Sequence, residues 1–251
     1  MVLETNHHRL NIEEPLGVTV SNSLNEKSKM PLAPDSIDHC LELVVDWIEK
    51  KSGKSYFVSP LEEFQSRYGK VNPEDEFYQS RMNYFLEYCM LERAMTGRAD
   101  GLAPISVFFD EHSDITQGDD ANALTWRNFS GFYHGIFQVV TASEKQVEAI
   151  DLLAEKKFLL VPKAGETLKY LRNKTIFQGF LFGTLNRRCL GQGLIVHPEL
   201  ANKEIYKFIK KYRKYPIVSS NEVLRLLAQT NMRLLRMQHV NPAVIYQSIS
   251  G

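Results

Sequence analysis

The segment from Phe132 to Val196 constrains the fold more than any other. Five short apolar runs are packed into it: Phe132–Thr141, Lys145–Leu152, Phe158–Val161, Thr175–Thr184 and Leu190–Val196. The first reads FYHGIFQVVT, dense in the aromatic and β-branched residues that suit a pleated surface. In the second, Val147 and Ala149 point one way and Ile150 and Leu152 the other, since side chains alternate along a strand. The spacers Ala142–Glu144, Glu155–Lys157, Lys163–Glu166 and Asn186–Arg188 are polar and turn-compatible. No β-helix-β alternation is present, so the pattern predicts an antiparallel sheet, strongly curved or closed into a small barrel.

Helical periodicity flanks that sheet on both sides. Asp35 or Ser36 can cap a first helix whose apolar residues Ile37, Leu41, Val44, Val45 and Ile48 share one face, with Gly53 as its stop. A short helix follows over Pro60–Tyr68. A third runs from Pro73 to about Met95, with Glu74, Asp75 and Glu76 at its positive end. Tyr78, Met82, Phe85, Leu86 and Cys89 line its buried side, where Cys89 reads as a small hydrophobe. Ile105–Phe109 reads as a short strand, and Ala121–Phe129 as one or two helical turns. Helices return at Pro198. The final one starts from a Ser220 or Asn221 cap and runs to about Gln238, burying Leu224, Leu227, Ala228, Leu234 and Leu235 and showing Arg225, Arg233 and Arg236.

The predicted architecture is α+β: N-terminal helices, a central small antiparallel sheet or barrel, and a C-terminal helical pair. Residues 1–34, polar and without a sustained period, are expected as a flexible lead. Residues 35–251 are expected as one unit, with a helical part over 35–96, a mainly β part over 102–197 and a basic helical part over 198–247.

Charge is distributed less evenly than the totals suggest. The chain has 30 basic and 30 acidic residues. Residues 1–168 carry 16 basic and 27 acidic side chains, a net of −11, and residues 169–251 carry 14 and 3, a net of +11. Such parts either attract each other within the fold or serve different partners.

Several function classes are disfavoured. No apolar run approaches the roughly 18–20 residues that span a bilayer. The opening MVLETNHHRLNIEEP lacks the apolar core of a secretory signal, and three distant cysteines make no disulfide framework. The expectation is a soluble, cytoplasmic chain without a cofactor. There is no P-loop, G-x-S-x-G elbow, H-E-x-x-H or C-x-x-C. Gly191-Gln192-Gly193 leads into an apolar run and not a helix, so it reads as a hairpin turn or bulge and not a phosphate cradle.

Three constellations remain. Asp110, His112, Asp114, Asp119 and Asp120 could supply oxygen and nitrogen ligands to a divalent ion, although the spacing is not that of a calcium loop. Among isolated groups, His134 is expected to be held by a backbone carbonyl, and His197 could cap a helix or touch a ligand. Cys189, beside two arginines, could favour the thiolate. The strongest pattern is a two-faced helix. Ile205, Phe208, Ile209 and Tyr212 lie on one side, and Lys203, Lys207, Lys210, Lys211 and Lys214 on the other. Arg187 and Arg188, expected in a turn, could extend this basic face. The leading expectation is a non-enzymatic binding or adaptor protein that offers an acidic and a basic surface to a protein partner or a second copy of itself. Nucleic-acid binding through the Lys203–Lys214 helix comes second, and a metal-assisted hydrolase using Asp110, Asp114 and Asp119 third.

Overall fold

The computed structural model describes residues 35–184, 187–215, 218–237 and 239–250; the expected N-terminal lead lies outside them. Five strands form the centre: β1 (Tyr133–Ala142), β2 (Val147–Asp151), β3 (Lys157–Leu160), β4 (Ile176–Phe182) and β5 (Arg187–His197). They close into a barrel in the order β1-β2-β3-β5-β4. The sheet is not wholly antiparallel. β3 and β5 run parallel, with Leu159 opposite Arg187 and Leu160 opposite Arg188. The reason is one of parity: when five strands close and four neighbouring pairs are antiparallel, the fifth pair must be parallel. Arg187 and Arg188, expected in a turn, are therefore the opening residues of β5 and complete the ring.

Phe137, Val139, Val147, Ala149, Phe158, Leu160, Phe177, Leu181 and Leu190 form the barrel core, joined by Leu168 and Leu171 from the β3–β4 connection. Ile150 and Leu152 lie on the opposite side of β2 from Val147 and Ala149, as the alternation predicts. They belong to a second core outside the barrel wall.

The N-terminal helices follow their caps. α1 (Ile37–Ser52) begins where the Ser36 hydroxyl accepts the His39 N–H at 3.1 Å, and ends at Gly53, whose φ of 84° favours glycine. α2 (Val58–Tyr68) matches expectation closely. α3 (Tyr78–Leu91) starts later than Pro73, because residues 73–77 form turns in which the Asp75 carboxylate accepts the Asn72 N–H. Ile105–Phe109 is helical: it lies in α4 (Pro104–Glu111), which has proline in its first turn and Phe108 against Trp47 and Trp126. A five-residue apolar run cannot be told from a buried helical turn by period alone. α5 (Ala121–Ser130) follows, so the β part begins only at Tyr133.

After β5, a 3-10 turn at Glu199–Ala201 leads into α6 (Asn202–Lys214). α7 (Ser220–Arg236) is capped by Ser219, one residue before the expected caps. A further helix, α8 (Pro242–Ser250), turns the expected C-terminal pair into three; Pro242 starts it and the Asn241 side chain accepts the Ala243 N–H. Among the described residues, no helix is long and apolar enough to cross a membrane.

A close contact joins α3 to β5. Gly179 pairs with Leu194 and Leu181 with Leu190, so residues 191–193 face the single residue Phe180 in a two-residue bulge. The glycine pair is thus a bulge, as one of the two expectations had it, but inside a strand. A Cβ on Gly193 would lie 2.3 Å from the Tyr84 backbone, and one on Gly191 would lie 2.4 Å from Glu87 Oε1. The Glu87 carboxylate accepts the N–H groups of Gln192 at 2.6 Å and Gly193 at 3.2 Å. Ser80 Oγ donates to the Leu194 carbonyl at 2.6 Å and accepts its N–H at 3.0 Å. Side chains of α3 thereby satisfy the amides that the bulge removes from the ladder. Gly193→Ala is expected to cost about 3 kcal/mol, since the obstructing atoms are backbone and cannot turn aside. A urea midpoint equal to that of the parent would refute this close approach.

Candidate functional site

α6 is assembled by opposite demands on its two sides. Ile205 and Ile209 are buried with Ile136, Leu152, Ile176, Val223, Leu227 and Tyr246, and Phe208 and Tyr212 pack at the margin. This consumes the apolar face against the barrel wall, α7 and α8. The other side faces outward: Lys203, Lys207, Lys210, Lys211 and Lys214 are all exposed, along about 16 Å of helix. Their environments differ. Lys207 Nζ lies 2.8 Å from the buried carboxylate of Glu204, and Lys214 Nζ sits 5.0 Å from the centroid of the Tyr215 ring. Arg213, at the flank, binds Glu155 and the Leu152 carbonyl and so ties α6 to the β2–β3 turn.

Arg187 and Arg188 do not simply prolong this ridge. Arg187 is exposed at the start of β5. Arg188 donates to the Gly131 carbonyl and lies 5.8 and 5.3 Å from the ring centroids of Tyr133 and Phe158, none of which belongs to α6.

The acidic constellation is dispersed. Asp110 lies in the last turn of α4, and His112 caps that helix with Nδ1 2.9 Å from the Phe108 carbonyl oxygen. Asp120 caps α5, accepting the Ala123 N–H at 2.7 Å, while Asp114 and Asp119 are exposed between the helices. Among the described residues, no three His, Cys, Asp or Glu side chains gather into a group that could hold a metal ion. Of these residues, His112 ends α4 and Asp120 starts α5, a role that polar residues between two helices commonly fill.

The cysteines are not activated. Burial raises the Cys189 thiol despite the lowering influence of Lys163, which argues against the thiolate alternative. Burial also pushes Cys89 up to about 12.

A buried polar chain, not legible in the sequence, runs beneath α3. His134 is held by side chains, not a carbonyl: Nδ1 lies 2.9 Å from Glu92 Oε1 and Nε2 lies 2.9 Å from the Tyr84 hydroxyl. Gln178 Nε2 donates to that hydroxyl at 2.7 Å and to the Leu224 carbonyl at 3.0 Å. Because Gln178 donates to the phenol oxygen, the phenol proton is directed to His134 Nε2, and Nδ1–H to Glu92. Carboxylate, imidazole and hydroxyl stand in the order of a nucleophilic relay. The hydroxyl, however, belongs to a tyrosine with no exposed surface, and burial raises its pKa well above the ordinary value. Nor do two surface clefts reach it. One, of about 490 Å³, lies between residues 142–144 and 168–173; the other, of about 470 Å³, is lined by Ile37, Leu124, Val161, Phe182 and Cys189 among others. His197 is likewise internal, with Nδ1 2.7 Å from the Tyr246 hydroxyl, and burial pushes it down to about 3. It neither caps a helix nor faces a cleft.

No protein-family model, curated protein or solved structure matches this chain.

Burial pushes Glu87 up to about 8 against the opposing pull of the Gly193 and Gln192 amides. From the ordinary 4.5 up to about 8, the folded chain keeps a proton that the unfolded chain has released, so stability falls as pH rises. His197 acts oppositely: below its ordinary 6.5 the unfolded chain takes up a proton that the folded chain refuses, so stability falls on acidification. The two slopes oppose each other up to 6.5; above it Glu87 dominates, by up to about 1.4 kcal/mol per pH unit. Glu87→Gln keeps an acceptor for both amides, and is expected to flatten the decline in urea midpoint between pH 6.5 and 8. A slope as steep as the parent's would reject this account. On α6, Lys207→Ala separates Glu204 from its lysine and is expected to cost about 1 kcal/mol, a modest figure because Lys207 is half exposed. Lys210→Ala, by contrast, is expected to change stability by less than about 0.5 kcal/mol in the same denaturation experiment.

Proposed function

We propose that this chain is a non-catalytic binding protein that engages an acidic macromolecular surface through the lysine ridge of α6. One observation carries the reading: Lys203, Lys210 and Lys214 are exposed in one line and, among the described residues, form no ion pair. The apolar face of the same helix is already covered by the barrel wall, α7 and α8, so α6 is anchored as a rigid platform and is not available to enter a lipid interface. The polar groups that resemble catalytic machinery are buried and bonded to one another, which favours binding over catalysis.

A second reading has its own support. Four cations, Lys203, Lys207, Lys210 and Lys214, repeat at about one helical turn, a linear array suited to a phosphate backbone, and Tyr206 is partly exposed beside them. Both readings are separated by anisotropy titrations of labelled DNA and RNA, single- and double-stranded, and of polyglutamate, across a range of salt. Lys203→Glu, Lys210→Glu and Lys214→Glu are made together; Lys207 is spared because a carboxylate there would stand beside buried Glu204. The triple reversal is expected to weaken binding at least about tenfold, or about 1.4 kcal/mol, with an unchanged melting temperature. Nucleic acid as the ligand predicts a slope of about −3 in log affinity against log salt, from three to four phosphates neutralised. Undiminished binding by the triple variant would remove α6 from the function.

A further inference from the structure

The lysine ridge has an acidic counterpart on the same molecule. Glu42, Asp46 and Glu49 form one stripe of α1, directly opposite the buried Cys40, Leu41, Val44, Trp47 and Ile48. Glu42 and Asp46 are exposed and Glu49 partly so. Asp38, next along the stripe, is already taken by Lys163 at 2.7 Å. The stripe repeats at four and three residues, and so do Lys203, Lys207 and Lys210. Read in the reverse direction, Glu49, Asp46 and Glu42 repeat at three and four, as do Lys207, Lys210 and Lys214. Laid side by side in either sense, the two ridges bring a carboxylate opposite each ammonium over about 10 Å.

Among the described residues, the two ridges do not pair with each other. α1 packs against α3, α4 and α5, whereas α6 packs against α8. The opposite net charges of the two parts of the chain meet in such pairs as Lys169–Glu144 and Arg213–Glu155, which involve neither ridge. Both ridges therefore face solvent from rigid helices, with matched spacing and opposite sign.

We propose that the partner of the α6 ridge is the α1 ridge of a second copy of this chain. The inference rests on the reading of α6 as the binding surface and goes further by naming what it binds. The contact is head-to-tail: joining α1 of one copy to α6 of the next leaves the first copy's α6 and the second copy's α1 open, so copies add until a ring closes or a pair makes the contact twice. Exposed ion pairs are individually weak and screened by salt, so the association strengthens with concentration and dissolves as ionic strength rises.

Sedimentation velocity on the full chain tests this. The parent protein is expected to exceed the monomer mass at low salt and about 100 μM, and to return to monomer at about 0.5 M salt. The α6 variant (Lys203→Glu, Lys210→Glu, Lys214→Glu) and an α1 variant (Glu42→Lys, Asp46→Lys, Glu49→Lys) are each expected to be monomeric, since in each the two ridges then carry mainly one sign. Mixed in equal amounts they are expected to associate with each other. Should a triple variant not fold, the single exchanges Lys210→Glu and Asp46→Lys serve in its place, with a smaller shift in mass. A parent that stays monomeric at low salt, or a mixture that does not associate, overturns the proposal. The reading of α6 fails separately: a monomeric parent that still loses polyanion binding in the α6 variant keeps that reading while removing self-association.

Discussion

α3 can lie on β5 only because two positions in that strand have no side chain. With backbone of Tyr84 and the carboxylate of Glu87 occupying the space where Cβ atoms of Gly193 and Gly191 would stand, the helix is held at a distance that fixes everything else it touches. Ser80, Tyr84 and Glu87 recur at four and three residues on that one face. Ser80 and Glu87 complete the hydrogen bonding of the bulge, while Tyr84 reaches past it to His134 on β1 and Gln178 on β4. Arg81, one residue around the helix, bonds Asn231 of α7, and Asn231 in turn donates to the Val196 carbonyl of β5. One helix thus joins three strands and a C-terminal helix through polar contacts that have little geometric freedom.

Such a network is costly to bury and therefore specific. Arg81 is 4% exposed and bonds a neutral amide, and burial lowers it to about 10. A buried cation of this kind adds little net stability, but packings that leave it without its amide are much worse. The hydrophobic cores on the two sides of the barrel wall supply the driving force. The polar layer selects one arrangement of helices on the wall. It also accounts for the conspicuous titratable residues Glu87, His134 and His197: each is bonded to an element of the fold.

Much of this was legible in the sequence, and what was not has a common cause. Local signals read well: the Ser36 and Gly53 ends of α1, the alternation along β2 and the two faces of α6 all rest on residues within a few turns or a few pleats of one another. The closure of the barrel by β3 and β5 was not legible, because it follows from the parity of strand directions around a ring. The partners of His134 lie 42 and 50 residues away, at Glu92 and Tyr84. The role of the Gly191 and Gly193 pair depends on a helix more than 100 residues earlier. The acidic segment from Asp110 to Asp120 is ambiguous for the opposite reason: its pattern is local, and helix caps use the same residue types as metal ligands. At the candidate site, the lysine face was fully visible, while Glu204 beneath Lys207 was not, since nothing in a lone acidic residue marks it as buried.

The persistence of charge polarity at the surface follows from how the C-terminal cations are used. Arg225 and Arg236 of α7 lie against the end of α2, yet they donate to the Arg67 and Lys70 carbonyls and not to carboxylates of the acidic part. Carbonyls in and just beyond the last turn of a helix are oriented acceptors at its negative end, so they hold a guanidinium without an acidic side chain. Some of the carboxylates used are near in sequence, Glu222 for Arg225 and Glu204 for Lys207, while Glu155 for Arg213 and Glu144 for Lys169 come from the acidic part. The basic part is therefore fastened to the rest of the molecule by backbone acceptors and apolar packing as well as by these two ion pairs. Acidic side chains of α1 are left outward, as are lysines of α6. A fold assembled in this way keeps its opposite fields apart on two rigid helices, which is the condition for either field to act on another molecule.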